Sequence, residues 1–458
     1  MDKQNASNDV SPSPEPLDET YSSKAIFALA IPALGTLVIE PALTFIDSVM
    51  VGHLGTASLA GLGVGAAVLN TAVGLFVFLA YATTASTAGL LGSGDKRGAL
   101  RNGIGALWLG VLLGLVMMTV AIIFAPQLVG LLGADETVGP YASSYLRFGA
   151  PGMAAMFIIM AATGVLRGFM NTRTPLIVLA IGAPVNIAGN FLLIYGLNLG
   201  IVGAGISLSL TQILMATILV TIVMKAARKN GVERRFRIGG LWVHIKAGWP
   251  LFLRTASLRL ALLATLYVAA RGGTEVLAAH QVAMSIWNTA AFALDALAIA
   301  AQSLVAHAIG AGRQKELKAV IRRVTGWGLI AGIAIGTVIA ATSKWTPTLF
   351  GPSQQMHEIA SLAVLIAGLT LPIGAITFEL DGILIGAGEG RFLAEAGVVT
   401  LLLYLPALAG VYFLAATTAS PNSNASQWLL GWLWISFSGW FMLVRAATNW
   451  IKAGKLGA

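Results

Sequence analysis

About twelve apolar stretches, each of roughly twenty residues or more, recur from one end of this chain to the other. They begin near Ala25, Ala57, Gly103, Tyr141, Pro175, Gly203, Ala247, Val276, Val324, Ile359, Leu393 and Trp428. In lipid, every backbone N–H and C=O must be satisfied within the protein, so only helices and closed barrels cross a bilayer. Stretches of this length are helices. Charged residues make up only 10% of the chain and apolar ones 57%, with mean hydropathy +0.82, where a soluble protein carries about 25% charged residues. The chain therefore reads as an all-α integral membrane protein. Residues 57–91 and 276–309 exceed a minimal span and are expected to tilt or project beyond the bilayer.

Lysine and arginine orient the spans. Alternate loops are basic: Lys96, Arg97 and Arg101; Arg167 and Arg173; seven cations from Lys225 to Lys246; Arg313 to Arg323; Arg391; and Lys452 with Lys455. The intervening loops hold little besides Arg271 and Lys344. This pattern predicts an even number of helices, with both termini in the cytoplasm, in a multi-pass protein of the cell membrane. It also accounts for the net charge of +9 without nucleic acid as a partner. The chain has no cysteine, so disulfides, thiolate metal sites and cysteine nucleophiles are excluded. The expected organisation is a disordered cytoplasmic tail over residues 1–23, a first lobe of six helices over 24–226, a basic linker over 227–246 and a second six-helix lobe over 247–458. Its partners are the bilayer and a small-molecule substrate, and it is expected to be a monomer.

The two lobes are copies. Pro32 matches Pro250, an offset of 218 residues (250 − 32). At the same offset, Gly55-Thr56 matches Gly273-Thr274, Gly92-Ser93-Gly94 matches Gly310-Ala311-Gly312, and Gly164, Gly168 and Arg173 match Gly382, Gly386 and Arg391. Six helices per copy keep both copies in the same orientation, as parallel repeats about an axis along the membrane normal. In that architecture a central cavity lies between the lobes, and alternating access is one lobe rocking against the other.

The repeat is most informative where it breaks. The first apolar stretch carries Glu40 and Asp47 together with Pro32 and Pro41. An acid at membrane depth is a functional candidate. The seven-residue spacing puts both carboxylates within roughly 20° of each other on one helix face. Each proline leaves a carbonyl four residues earlier unbonded, which makes Pro32 and Pro41 candidate hinges. The repeat partners of Glu40 and Asp47, Leu258 and Thr265, are uncharged. In the fifth stretch, Asn186 and Asn190 share a face four residues apart, where the second copy has Tyr404 and Leu408. Glu40, Asp47, Asn186 and Asn190, with Ser207, Ser209, Thr211 and Gln212 of the sixth stretch, are expected to form an ion-coupling cluster for a proton or for Na⁺. The asparagines alone also suit interhelical hydrogen bonding. The second lobe has its own charges at Arg254, Arg259, Asp295, Glu379 and Asp381. They are expected either to neutralise one another, for example Arg254 or Arg259 with Asp295, or to line the cavity as a second coupling or cation-binding site. His280 and His307 suit packing or a proton relay.

No HExxH, P-loop, GxSxG or Asp-rich diphosphate motif is present, so no enzyme is expected. The run IDSVMVGHLG after the first proline, LRGFMNTRTPL closing the fourth stretch, NIAGN in the fifth, and AHQVAMSIWNTAAFALDALAIAAQSLVAHAIGAG in the second copy resemble the multidrug and toxic compound extrusion (MATE) family, DinF-like branch. The resemblance implies export of organic, often cationic, compounds in exchange for H⁺ or Na⁺, with no bound cofactor. It places the family's first-helix carboxylate on Asp47 and its fifth-helix amide on Asn186. Where many members carry a second carboxylate, this chain has Asn190, so a simple Na⁺ site at Asp47, Asn186 and Asn190 is disfavoured and H⁺ is the expected coupling ion. Glu40 stands to supply the missing charge. The alternative function on the same scaffold is a flippase for a lipid or lipid-linked intermediate.

Overall fold

Residues 19–233, 235, 238–350, 353–417 and 423–456 are described by the computed structural model, and among them there are helices and no strands. Twelve helices have the length and composition to cross a membrane. They are α1 Ser23–Gly52, α2 Thr56–Gly92, α3 Lys96–Ile123, α4 Gly139–Gly168, α5 Arg173–Gly196, α6 Gly200–Lys229, α7 Ile245–Arg271, α8 Thr274–Gly310, α9 Gln314–Thr342, α10 Gln354–Gly386, α11 Gly390–Phe413 and α12 Asn424–Leu456. Local chemistry sets several of their ends. Ser22, Asp95 and Ser353 each accept a backbone N–H of the turn that follows, capping α1, α3 and α10. The repeated glycines share a backbone conformation. Gly55 and Gly273 open α2 and α8 at φ 121° and 97°, a region that strains any residue with a Cβ.

α1 is one continuous helix through Pro32 and Pro41. Three other spans are irregular. α2 breaks between Leu75 and Phe78. α5 ends in a π-helical turn, Phe191–Gly196, and α12 contains a second, Ile435–Phe441. π-helical turns concentrate at functional sites, and both of these adjoin the clusters described below.

Each lobe keeps its own core toward one end of the molecule. One core draws only on residues between Met50 and Leu208, the other only on residues between Leu258 and Met442. The cores shared by both lobes lie at the opposite end, which carries the basic loops. There Ile26, Leu29 and Ala30 of α1 and Phe78 of α2 pack with Leu251, Leu297, Ala300 and Leu304 of the second lobe. Ala33 packs with Ala296 and Ile299. Gly89 and Gly92 lie backbone to backbone against Ala306, His307 and Gly310, so close that a methyl on Gly92 or Gly310 would collide with a carbonyl oxygen. The lobes are joined at their basic end.

Two expected boundaries move. Residues 1–18 of the expected tail lie outside the described residues, but its last part is docked. Tyr21 is fully buried, its hydroxyl 2.8 Å from His307 Nδ1 and its carbonyl accepting from Arg323 at 2.7 Å. An aromatic ring so placed buries too much apolar surface to stay in solvent. The linker is shorter than expected, because α6 runs to Lys229 and helix resumes at Ile238. Arg234 and Arg237 of the linker lie outside the described residues.

Candidate functional site

The first lobe encloses a cavity of about 300 Å³ lined by Glu40, Asp47, Asn186, Thr211, Gln212 and Arg167, among others. The sequence spacing of Glu40 and Asp47 does put both on the cavity face of α1. Asn190, only 1% exposed, donates from Nδ2 to Asp47 Oδ1 at 2.5 Å and, at 3.4 Å, to Asn186 Oδ1. Its own Oδ1 is buried and has no partner among the described residues. The Tyr195 hydroxyl in the π-helical turn donates to the Met50 carbonyl at 2.5 Å, pinning the far end of α1 to α5. Glu40 forms no hydrogen bond or ion pair through its carboxylate among the described residues. Thr44 caps its carbonyl instead.

The sixth-helix hydroxyls divide. Ser207 donates to the Asn186 carbonyl at 3.0 Å and supports the site from behind. Ser209 joins α6 to α4 through Phe148 and Gly152, which is packing.

Arg167 corrects the sequence reading, which gave it to a basic loop. It is 8% exposed and lines the cavity with Tyr81, Asp295 and Glu40. It forms no hydrogen bond or ion pair within 4 Å among the described residues.

The second lobe holds a cavity of about 370 Å³ lined by Arg254, Arg259, Asp295, Asp381, Phe441 and Arg445, among others. Asp381, 4% exposed, accepts from Arg254 and, at 2.5 Å, from Arg445, both on Oδ2, while Asn449 donates to Oδ1 at 2.7 Å. Arg445 also lies over the Phe441 ring at 5.6 Å, a position set by the π-helical turn in α12. The partner of Arg254 is therefore Asp381, and the expected pairing with Asp295 is not made. Gly382 of α10 packs against the Ala298 carbonyl of α8, and Asp381 beside it meets Arg254 of α7 and Arg445 and Asn449 of α12. Asp295 is half-buried and forms no ion pair among the described residues.

Glu379 does not line either cavity. It is fully buried against Gly328 of α9, with both carboxylate oxygens unpartnered among the described residues. Neither histidine faces the cavities: His280 packs beside Trp434 and His307 meets Tyr21. Thr265 and Tyr404, the repeat partners of Asp47 and Asn186, are buried and hydrogen-bonded to each other at 2.7 Å.

Gly74, Val77, Tyr81, Asp295 and Ile299 line both cavities, so the two form one cleft folded around the break in α2. Gln302 of α8 donates to the Tyr81 carbonyl at 2.6 Å and ties the break to the second lobe. Glu40, Asp47, Asp295 and Asp381 line the cleft together with Arg167, Arg254, Arg259 and Arg445. No cluster of three or more His, Asp or Glu suited to a metal occurs among the described residues. Sequence reasoning missed Arg445, Asn449, Tyr81 and Gln302. Arg445 and Asn449, an i, i+4 pair in an otherwise apolar segment, carried the same signal as Asn186 and Asn190.

The comparisons with known proteins agree with this architecture. The MatE family model matches residues 32–192 and 250–408, two stretches that begin at the repeat-related prolines. Among curated relatives, Protein DETOXIFICATION 44, chloroplastic, of Arabidopsis thaliana is 29% identical over 439 residues, covering 89% of this chain and 82% of that protein. DNA damage-inducible protein F of Escherichia coli K12 is 26% identical, covering 84% and 87%. A probable multidrug resistance protein NorM of Thermotoga maritima is 23% identical, covering 80% of each. The solved structure of the Vibrio cholerae MATE transporter VcmN in its bent form superposes with TM-score 0.84 at 20% identity over 96% of this chain and 98% of that one.

Proposed function

Taking as premise that this chain belongs to the MatE family of multidrug and toxic compound extrusion transporters, we propose that it is a proton-coupled antiporter that exports organic compounds bearing a cationic group. It is a multi-pass membrane transporter, DinF-like, and not an enzyme. The observation that carries the reading is the Asp47–Asn190 contact. The amide nitrogen, a donor, faces the carboxylate at 2.5 Å. A donor at that position satisfies an ionised carboxylate that holds no metal. Na⁺ would require oxygens turned inward and fixed negative charge. The unpartnered Asn190 Oδ1 supports the proton reading from the other side. Once Asp47 carries a proton, a half-turn of the amide offers that oxygen to the new O–H donor. Loss of charge at Asp47 then removes an anchor for the substrate's cation.

The basic end, where the lobes are joined, is by the positive-inside rule the cytoplasmic one. The cleft in this structure accordingly faces outward, with both termini cytoplasmic. α1 straddles the lobes: its start packs on the second lobe, and its far end is held by α5. Pro41 lies between these two attachments, and Pro32 lies near the end of the first, beside Ala33, which packs on Ala296 and Ile299. Bending there would pass the protonation of Asp47 on to the contact between lobes, allowing the cleft to be exposed alternately to either side.

The test is substrate efflux from proteoliposomes driven separately by a pH gradient and by a Na⁺ gradient at equal pH. Export driven by the pH gradient, lost in a folded Asp47→Asn variant and weakened in Glu40→Gln, is the expected result. Export driven by Na⁺ alone would refute the proton assignment, and full activity of Asp47→Asn would refute the site. The flippase alternative draws on the three arginines of the second-lobe cavity. A lipid-scrambling assay in the same vesicles decides it.

A further inference from the structure

We infer that the second-lobe arginines form an anion-accepting subsite, and that the cargo of this transporter is amphoteric. Its cationic group would meet Glu40 and Asp47, and its carboxylate or phosphate would meet Arg259 and Arg254. The inference rests on the antiport reading above and assigns the substrate class to the same cleft.

Guanidinium is in excess around Asp381. Arg254 and Arg445 share one carboxylate oxygen of Asp381, and Asn449 occupies the other. A buried aspartate needs one arginine for neutrality. A second leaves the cluster with a positive charge that burial makes costly. Arg259 adds another cation on the same cavity wall. It forms no hydrogen bond or ion pair among the described residues, and its guanidinium lies across the seam against Gly74 of the first lobe, where a Cβ would come within 2.6 Å of Nη2. Arginines holding the fold together would be matched to acids. These are aimed at the cleft with donors to spare, and the planar guanidinium fork fits carboxylate and phosphate in particular.

Charge also changes sign along the cleft. Glu40 and Asp47 line one cavity with Arg167 as its single cation, Arg254, Arg259 and Arg445 line the other with Asp381, and Asp295 stands on the wall they share. Their shared wall at Gly74 and Tyr81 lets one molecule reach both. The aromatic and apolar surface between them, including Val77, Phe292 and Phe441, suits an amphiphilic body.

The sign of coupling favours the same cargo. Four acids and four arginines face the cleft, which is neutral when all are ionised. A zwitterion preserves that balance. Protonating Asp47 then weakens only the cationic anchor, and the cargo is released as the proton enters. A purely anionic cargo would be held more tightly after protonation, which is the wrong sign for exchange with H⁺.

Rhodamine B and its methyl ester share one cationic ring system and differ in whether they carry a carboxylate. Binding of each to the purified full-length protein is measured by fluorescence anisotropy. The parent is expected to bind rhodamine B about tenfold more tightly than the ester, the worth of one charge-assisted contact. Arg259→Ala should bring the ratio of the two affinities close to one, and Arg259→Lys should restore part of it. A parent ratio near one, or a ratio unchanged by Arg259→Ala, overturns the subsite. Export of the ester driven by a pH gradient and abolished by Asp47→Asn tests the antiport reading separately, so failure of either reading is distinguishable from failure of the other. Transbilayer movement of acyl-labelled phosphatidylethanolamine in the same vesicles, sensitive to Arg259→Ala, would identify the amphoteric cargo as a lipid headgroup. Its absence beside an intact dye ratio would identify a soluble compound.

Discussion

Replacing Asp381 should do more damage than replacing either arginine that holds it. In Asp381→Asn the side chain keeps its size and one acceptor oxygen, but Arg254 and Arg445 lose their counter-charge at a position that is 4% exposed. Removing the partner of a buried charge costs about 3–5 kcal/mol. Arg254→Ala acts differently, because Arg445 and Asn449 still satisfy both carboxylate oxygens. It forfeits one charge-assisted hydrogen bond, about 1.5–3 kcal/mol, and relieves the repulsion between two guanidiniums on one oxygen. The expected net loss is below about 2 kcal/mol. The double variant leaves Arg445 as the single cation of the cluster. It should therefore be more stable than Asp381→Asn alone, a coupling of about 1 kcal/mol or more that additive sites do not show. Unfolding in detergent, followed by the fluorescence of the 11 tryptophans, measures all four forms. Additivity, or an Asp381→Asn variant as stable as the parent, would refute the argument. Asp295→Asn serves as the comparison, since Asp295 has no ion pair to lose.

Three further outcomes are expected. Pro32→Ala should fold normally but transport more slowly, because it restores the hydrogen bond to the Ala28 carbonyl that the proline removes; unchanged turnover in vesicles would take the hinge out of the mechanism. Gly310→Val should prevent the approach of α8 to the Gly89 carbonyl and so open the basic end, raising thiol labelling of a cysteine placed at Ala306 in this otherwise cysteine-free chain; labelling as slow as in the parent background would contradict the closure described here. Tyr404→Phe should lose about 1 kcal/mol with its hydrogen bond to Thr265 while leaving coupling intact, and loss of proton-driven export in that variant would show that both lobes carry the ion.

The twelve spans and the two lobes were legible because lipid leaves a chain few options and because the copies kept a constant offset. Asp47 and Asn190, 143 residues apart, were legible as partners for a related reason: both stand where the second copy has no charge or amide. Arg167 was not, since an arginine in the last turn of a span reads as a topology signal whether it points to the membrane surface or inward. Its burial follows from how α4 packs against its neighbours, which no local pattern encodes. The partner of Arg254 was equally hidden. Asp295 and Asp381 are both acids within spans, and the choice between them depends on how α10 sits against α7 and α12.

The repeat-related pairs also explain how one scaffold divides its work. In the second lobe, Thr265 and Tyr404 close the contact between α7 and α11 with a short neutral hydrogen bond, which no change of pH or ion near neutrality would break. In the first lobe, the corresponding contact between α1 and α5 runs through a carboxylate and an amide, and its strength changes with the charge on Asp47. The helix carrying that carboxylate is also the one whose start is embedded in the other lobe. On the proposed reading, a proton arriving at Asp47 acts on a helix whose two ends are attached to different lobes, while the arginines of the second lobe hold the opposite pole of the cargo.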